Sequence, residues 1–153
     1  MKKIASFTVN HDTLEKGMYI SRIDGDVVTY DIRMKLPNGG DYLNMSAAHT
    51  VEHLFATYAR NSQYADGVIY VGPMGCRTGF YFLVRDSISR KNAIELVKAS
   101  MSFIRDFEGD IPGNKKEECG NYLDHDLAGA KAIGGEMYEV LKNWQEKDLT
   151  YKE

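Results

Sequence analysis

Alternating apolar and polar residues predict an amphipathic β-strand over positions 27–36. Its apolar positions are Val28, Tyr30, Ile32, Met34 and Leu36. The opposite face carries three charged residues, Asp31, Arg33 and Lys35. Asp24-Gly25, a dipeptide that favours a tight turn, lies between this strand and the apolar segment 18–20. We therefore expect a β-hairpin near the start of the fold.

Three segments with apolar residues at helical spacing predict three α-helices. They extend over positions 46–62, 89–107 and 126–147. Two shorter apolar runs, 68–71 and 80–84, predict a further pair of strands joined by a glycine-rich loop. The segment between the second and third helices is polar and irregular, so we expect a long loop there.

The order of these elements lacks the regular strand–helix alternation of a parallel doubly wound sheet. We therefore expect an α+β fold with two layers, an antiparallel sheet with helices packed on one face. The chain has 153 residues, a length that suits one core, and it shows no internal repeat or linker. Residues 1–153 are accordingly predicted to form a single catalytic domain.

Charge and hydropathy narrow the classes of function. The formal net charge is −3 and no basic face stands out, so we expect neither a nucleic-acid partner nor a membrane-surface role. No apolar run approaches the roughly 20 residues of a membrane span. Any signal-like start is interrupted by four polar residues, Thr8, Asn10, His11 and Asp12. With only Cys76 and Cys119, the expectation is two free thiols in a reducing cytoplasm.

The strongest chemical signal is an H-x-x-E-H pattern, His49 to His53, inside the first predicted helix. Residues four apart lie one turn apart, so both imidazoles can face one cation. Glu52 lies to the side, where its carboxylate can reach a ligand of that cation. The alternative is a pair of surface histidines on an amphipathic helix. Because the histidines border a buried stripe, we favour a partly sheltered metal site.

A catalytic metal site usually has three protein ligands and one open position, so two histidines are too few. The remaining candidates are Cys119, Cys76 or a downstream acid, and composition alone does not choose among them. Cys119 is favoured because its polar surroundings make an apolar filler role improbable. His125 is a further candidate ligand, although a local hydrogen bond is the commoner fate of such a residue.

Taken together, these motifs resemble the S-ribosylhomocysteine lyases, the LuxS family. The resemblance covers nearly the whole chain, in the right order and with similar spacing. It is carried by Ser6-Phe7 with His11, Asp31-Ile32-Arg33 before Pro37-Asn38, the His49–His53 motif, the glycine-rich loop Gly72–Gly79, Cys119-Gly120 and His125-Asp126-Leu127.

The resemblance implies an enzyme that cleaves the thioether of S-ribosyl-L-homocysteine. The products would be L-homocysteine and 4,5-dihydroxy-2,3-pentanedione, the precursor of the quorum-sensing signal autoinducer-2, within the activated methyl cycle. It also implies a cytoplasmic homodimer with active sites at the subunit interface. The implied cofactor is Fe²⁺, although Zn²⁺ or Co²⁺ would suit the same ligands.

Site residues follow from the same resemblance, position by position. The metal ligands would be His49, His53 and Cys119, the acid/base residues Glu52 and Cys76, and the substrate-pocket residues Ser6, His11 and Arg33. By pattern alone, Arg33 fits a solvated sheet face equally well. Tyr70 stands where the family usually has an aspartate that is expected to contact substrate, so that contact is in doubt.

This chemistry explains why such residues are needed. The sulfur leaves only after the sugar carbonyl has migrated from C1 to C3, where it lies β to the sulfur. Protons must therefore move between carbons and oxygens. A cation stabilises the anions formed on the way.

Two rival hypotheses are a metal-dependent hydrolase of the inverted H-x-x-E-H type, and a binding protein with a structural metal. The hydrolase hypothesis gives Cys76 no role.

Overall fold

A four-stranded antiparallel sheet forms one layer of the molecule. The structure, a computed structural model, describes residues 1–152. The strands are β1 (Gly17–Asp24), β2 (Val27–Arg33), β3 (Val68–Pro73) and β4 (Gly79–Arg85). Their order across the sheet is β1-β2-β4-β3. The predicted antiparallel sheet is therefore confirmed.

The predicted hairpin joins β1 and β2 through Gly25 and Asp26. Gly25 has φ +59°, a left-handed conformation that glycine adopts without steric cost. β2 is shorter than predicted, because it ends at Arg33 rather than at position 36. The N–H groups of Met34 and Lys35 both donate to the carbonyl oxygen of Thr78, at 2.8 and 2.9 Å. Two donors on one acceptor interrupt the regular ladder, so the strand stops there.

Three helices form the second layer, on one face of the sheet. They are α1 (Met45–Arg60), α2 (Arg90–Asp106) and α3 (Leu127–Leu141). Each begins after a residue whose side chain accepts a hydrogen bond from a first-turn N–H group: Asn44, Ser89 and Asp126. The predicted α+β class, with helices packed on one face, is confirmed. Within residues 1–152, none of the helices has the length and apolar character that a membrane span requires.

The prediction that the third helix reaches position 147 is wrong. α3 ends at Leu141, and residues Glu146–Leu149 form a separate 3₁₀ turn. Trp144 lies between them, where its Nε1–H donates to the carbonyl oxygen of Met18 on β1 at 2.9 Å. The chain leaves the helix axis there, and the indole lies so close to Gly17 that a Cβ on Gly17 would come within 2.2 Å of it.

Both faces of β2 are buried, although only one is apolar. Tyr30 and Ile32 face the helices and are fully buried in the core. On the opposite face, Asp31 and Arg33 are only 1% and 3% exposed. The alternative of a solvated charged face is therefore wrong at Asp31 and Arg33. The pattern could not reveal this, because the cover is made by segments distant in sequence.

Candidate metal centre

Helix α1 presents both histidines of the H-x-x-E-H motif beside its buried face. Val51, Leu54 and Phe55 are fully buried in the core, whereas His49 and His53 are half-buried at its border. Their ring centroids lie 4.6 Å apart, with the planes nearly perpendicular. The expectation of a partly sheltered pair of imidazoles is met, and the pair does not lie on a freely exposed surface.

A backbone carbonyl fixes each of these two rings. His49 Nδ1 lies 2.7 Å from the carbonyl oxygen of Asp124, and His53 Nδ1 lies 2.8 Å from that of Pro112. A carbonyl oxygen only accepts, so each Nδ1 carries the proton and donates it. Each Nε2 then has a free lone pair, which is the usual arrangement of histidines that ligate a metal.

Cys119 brings a sulfur to these two nitrogens from a loop distant in sequence. Its Sγ lies 3.4 Å from His49 Nε2 and 3.9 Å from His53 Nε2. Tetrahedral coordination with bonds of about 2.0–2.3 Å separates ligand atoms by roughly 3.5 Å. The donor set therefore fits one divalent cation. Cys76 is not part of this group.

His125 joins the same group. The ligand atoms of His49, His53, Cys119 and His125 all lie within 4.8 Å of one another. The His125 ring is nearly parallel to that of His49, with centroids 4.0 Å apart, and its Nε2 is buried without a hydrogen-bond partner in the described residues. Burial, followed by the nearby His49 and His53, lowers the pKa of His125 and so favours the neutral ring.

His125 also makes a hydrogen bond, but its partner is distant in sequence, so the expectation of a local hydrogen bond is wrong. Its Nδ1 lies 2.9 Å from the hydroxyl oxygen of Thr50 on α1. The same hydroxyl accepts a hydrogen bond from the backbone N–H of Asp126 at 3.0 Å. Ser46 on α1 also contacts the Asp124 carboxylate. The loop that carries Cys119 and His125 is therefore anchored on the first half of α1.

Glu52 lines an open cleft of ≈ 440 Å³ beside the cluster, together with His53, Arg60 and Tyr70. Glu52 as a whole residue is half-buried. The predicted position of Glu52, to the side of the imidazole pair, agrees with this arrangement. A small molecule in the cleft would lie next to both the acid and the ring of His53.

Cys76 lies in the turn between β3 and β4 and is exposed. Its Sγ is 3.1 Å from the hydroxyl oxygen of Thr78, and that hydroxyl accepts a hydrogen bond from Arg33 Nη1 at 2.7 Å. A buried filler role for Cys76 is therefore excluded. Both cysteines are free thiols, as predicted.

Arg33 forms a buried ion pair with Asp31 on the same strand. Arg33 Nη2 donates to Asp31 Oδ2 at 2.6 Å, and the Tyr151 hydroxyl donates to the same oxygen at 2.7 Å. Burial lowers the pKa of Arg33, but the charge and hydrogen bond of Asp31 outweigh burial, so the net shift is upward. Arg33 therefore stays a cation, oriented by Asp31 on one side and Thr78 on the other.

The remaining predicted pocket residues lie apart from the cluster. Ser6 lines a cleft of ≈ 370 Å³ on the far face of the sheet, with Tyr70 and Tyr81 among its neighbours. His11 does not line this cleft; its Nδ1 bonds the carbonyl oxygen of Val9 at 2.8 Å. The substrate-binding roles of Ser6 and His11 remain predictions.

Tyr70, the departure from the family pattern, borders both clefts. Its side chain is 53% exposed and folds across Gly72, where a Cβ would come within 2.4 Å of the tyrosine ring. With any other residue at position 72, the exposed Tyr70 ring would have to move from this position. Tyr70 therefore stands at the edge of both candidate ligand surfaces, with an aromatic ring in place of an acid.

Four contributors to these sites were missed from the sequence. The carbonyls of Asp124 and Pro112 orient the imidazoles, Thr50 holds His125, and Tyr151 caps the Asp31 carboxylate. Backbone carbonyls carry no sequence signal. Thr50 had a weak sequence signal, because a hydroxyl at a buried helix position usually needs a hydrogen-bond partner.

Comparison with known proteins agrees with this geometry. Residues 4–148 match the family model of S-ribosylhomocysteinase (LuxS). The chain is 47% identical over 158 residues to the S-ribosylhomocysteine lyase of Clostridium acetobutylicum, covering 100% of both chains. It is 46% identical over 157 residues to that of Clostridium beijerinckii, covering 99% of both, and 47% identical over 158 residues to that of Porphyromonas gingivalis (ATCC 33277), again covering 99% of both. The chain therefore belongs to the S-ribosylhomocysteinase (LuxS) family.

Proposed function

We propose that this protein is an S-ribosylhomocysteine lyase. It cleaves the thioether of S-ribosyl-L-homocysteine to L-homocysteine and 4,5-dihydroxy-2,3-pentanedione, the precursor of autoinducer-2. The observation that carries this proposal is the convergence of two imidazole nitrogens and the Cys119 sulfur beside Glu52, in a chain that matches named lyases over its full length.

His49, His53 and Cys119 are the proposed ligands of a divalent cation, Fe²⁺ by family and with Zn²⁺ or Co²⁺ as substitutes. One thiolate and two neutral imidazoles leave an ion with net positive charge. A cation bound there would supply a Lewis acid for negative charge developing on the substrate oxygens. Carbonyl contacts at both Nδ1 atoms support the two histidine assignments.

Glu52 and Cys76 are the proposed acid/base pair. Carbonyl migration requires proton transfer between sugar carbons and oxygens, and the final β-elimination requires removal of one more proton. Glu52 lines the cleft beside His53, so it can serve the oxygens nearest the cluster. Cys76 has the Arg33 cation behind Thr78, and positive charge favours the reactive thiolate.

The active form is proposed to be a homodimer with two sites at the subunit interface. Cys76 is exposed in the β3–β4 turn and is not part of the metal-binding group. The cleft lined by Ser6 and Tyr81, on the far face of the sheet, is also open to solvent. A second subunit placed against that face would enclose the cleft and bring acid/base residues of two chains together.

Residues 1–153 are proposed to act as one catalytic domain in the cytoplasm. A continuous core with side chains from all four strands and all three helices supports the single domain. The free Cys76 and Cys119 thiols support a reducing compartment.

An anaerobic assay with S-ribosylhomocysteine tests the activity. We expect Fe²⁺-loaded protein to release one free thiol and one dicarbonyl per substrate. Glu52→Gln should retain metal but lose about 100-fold or more in turnover, because it keeps shape and removes the base. If the wild-type protein releases no thiol while hydrolysing a peptide or ester, the hydrolase hypothesis replaces this one. Stoichiometric metal without either activity would indicate the structural metal.

A further inference from the structure

The C-terminal segment returns to the hairpin of β1 and β2, in which β2 carries the buried ion pair. Trp144 is hydrogen-bonded to β1, and Tyr151 stacks on Tyr19 of the same strand, with ring centroids 5.0 Å apart and planes inclined by 22°. The ammonium of Lys152 pairs with Glu15 at 2.7 Å. These contacts hold the Tyr151 hydroxyl over β2, where it donates to Asp31 Oδ2.

A continuous series of polar contacts joins this hydroxyl to Cys76. It runs from Tyr151 to Asp31 at 2.7 Å, from Asp31 to Arg33 at 2.6 Å, and from Arg33 to Thr78 at 2.7 Å. The Thr78 hydroxyl then lies 3.1 Å from the Cys76 sulfur. All but the two end residues are buried, so water screens the series poorly.

The Asp31 carboxylate depends on few donors. Its Oδ2 receives hydrogen bonds from Arg33 and Tyr151, while its Oδ1 is buried and has no partner among the described residues. A buried carboxylate that loses one of two donors interacts more strongly with the other. Without the Tyr151 hydroxyl, the charge of Asp31 would draw the guanidinium of Arg33 toward itself and away from Thr78.

We propose that Tyr151 is a positioning residue for Cys76: by sharing the Asp31 carboxylate, its hydroxyl leaves the Arg33 cation directed toward Thr78 and the thiol. The role of Cys76 as an acid/base residue rests on the proposed function. The contact series itself does not. The C-terminal segment thereby contributes to the reactivity of a residue in the turn between β3 and β4.

The tyrosines near this series stay protonated at neutral pH, because their pKa values are raised. Burial, followed by Glu15 and then Asp31, raises the pKa of Tyr19 to about 12. Burial and Asp31 also raise the pKa values of Tyr81 on β4 and of Tyr151. Arg77, beside Cys76 in the turn, directs its guanidinium over the Tyr42 ring. Arg33, Asp31 and Arg77 are therefore the charged groups to be considered around Cys76.

The test is the pH dependence of iodoacetamide alkylation at Cys76 in the metal-loaded protein, followed by peptide mass spectrometry. Tyr151→Phe removes only the hydroxyl that reaches Asp31. Tyr19→Phe is the matched control, because it removes a hydroxyl from the same aromatic stack that donates instead to the carbonyl oxygen of Glu15. Melting temperatures of both variants report whether the C-terminal segment stays docked.

We expect Tyr151→Phe to move the alkylation profile to higher pH and to slow alkylation at pH 7 by about threefold, the change produced by a shift of roughly half a pH unit. Tyr19→Phe should follow the wild-type profile. A Tyr151→Phe profile that overlaps the wild type, or an equal shift in both variants, overturns the proposal. Failure of the proposed function is a separate result, since alkylation needs no substrate and thiol release does.

Discussion

At the residue scale, two backbone carbonyls fix the orientation and tautomer of the two α1 imidazoles that would bind a cation. The Asp124 and Pro112 oxygens accept the Nδ1 protons of His49 and His53, so both Nε2 lone pairs point toward Cys119. A different loop path would leave the tautomers free and the nitrogens unaligned. The chemistry of the site therefore depends on backbone atoms of a loop as much as on the motif.

The two cysteines are expected to separate metal binding from catalysis. Cys119→Ser replaces a soft thiolate at the cluster and should weaken Co²⁺ binding by more than about 100-fold, beyond the loss typical of residues that only support ligands. Sulfur-to-cobalt charge-transfer absorption should disappear with it. Cys76→Ser should keep both the affinity and the spectrum, since Cys76 lies outside the group. Loss of the spectrum in Cys76→Ser instead would exchange the two assignments.

At the element scale, α3 packs against α2 through a glycine. A Cβ on Gly134 would lie 2.9 Å from the carbonyl oxygen of Met101 and 3.0 Å from the backbone nitrogen of Arg105. These are backbone atoms of α2, which do not move aside as a side chain does. The close approach of the two helices therefore requires the absence of a side chain at position 134.

Adjacent glycines in α3 should respond to alanine in opposite directions. Gly134→Ala should lower the free energy of unfolding by about 1–3 kcal/mol, because overpacking against α2 exceeds the helix-propensity gain of about 1 kcal/mol. Gly135→Ala should raise it by about 0.5–1 kcal/mol, since its Cβ meets only the flexible Arg105 side chain, at 3.4 Å. Urea denaturation measures both. Equal effects at the two positions would contradict this packing.

At the scale of the whole molecule, the proposed acid/base residues belong to different parts of the fold. Glu52 lies on α1 beside the cluster, whereas Cys76 lies in the turn between β3 and β4 with its sulfur directed toward Thr78. In the proposed homodimer, we expect Glu52 of one subunit to act together with Cys76 of the other subunit. Each subunit would then contribute Glu52 to one active site and Cys76 to the other, and a single subunit would contain no complete site.

Complementation between inactive variants tests this division. A heterodimer of Glu52→Gln and Cys76→Ala subunits, purified through two different tags, would contain one doubly altered site and one intact site. We expect about half the wild-type activity, because symmetry makes the two sites equivalent. Each homodimeric variant serves as its own control. A heterodimer as inactive as both parents would mean that each site lies within one subunit.

The sequence by itself determined the elements and the choice of chemistry. Alternation in 27–36 and helical spacing in 46–62 depend on local periodicity, so the hairpin and α1 were predicted to within a few residues. The pair His49 and His53 is set by one helical turn and needs no tertiary information. The Glu52 position follows from the same geometry.

Only the tertiary structure decided which distant atoms meet these elements. Cys119 and His125 reach α1 through an irregular loop whose path no periodicity encodes. The Asp31 carboxylate, read from sequence as part of one face of a strand, is contacted by the Tyr151 hydroxyl, 120 residues away. Local sequence patterns indicate which face of a strand or helix a side chain lies on. Whether that face is buried, and which ligand atoms come together, depends on contacts between distant segments. Those contacts formed the metal-binding group and joined Tyr151 to Cys76.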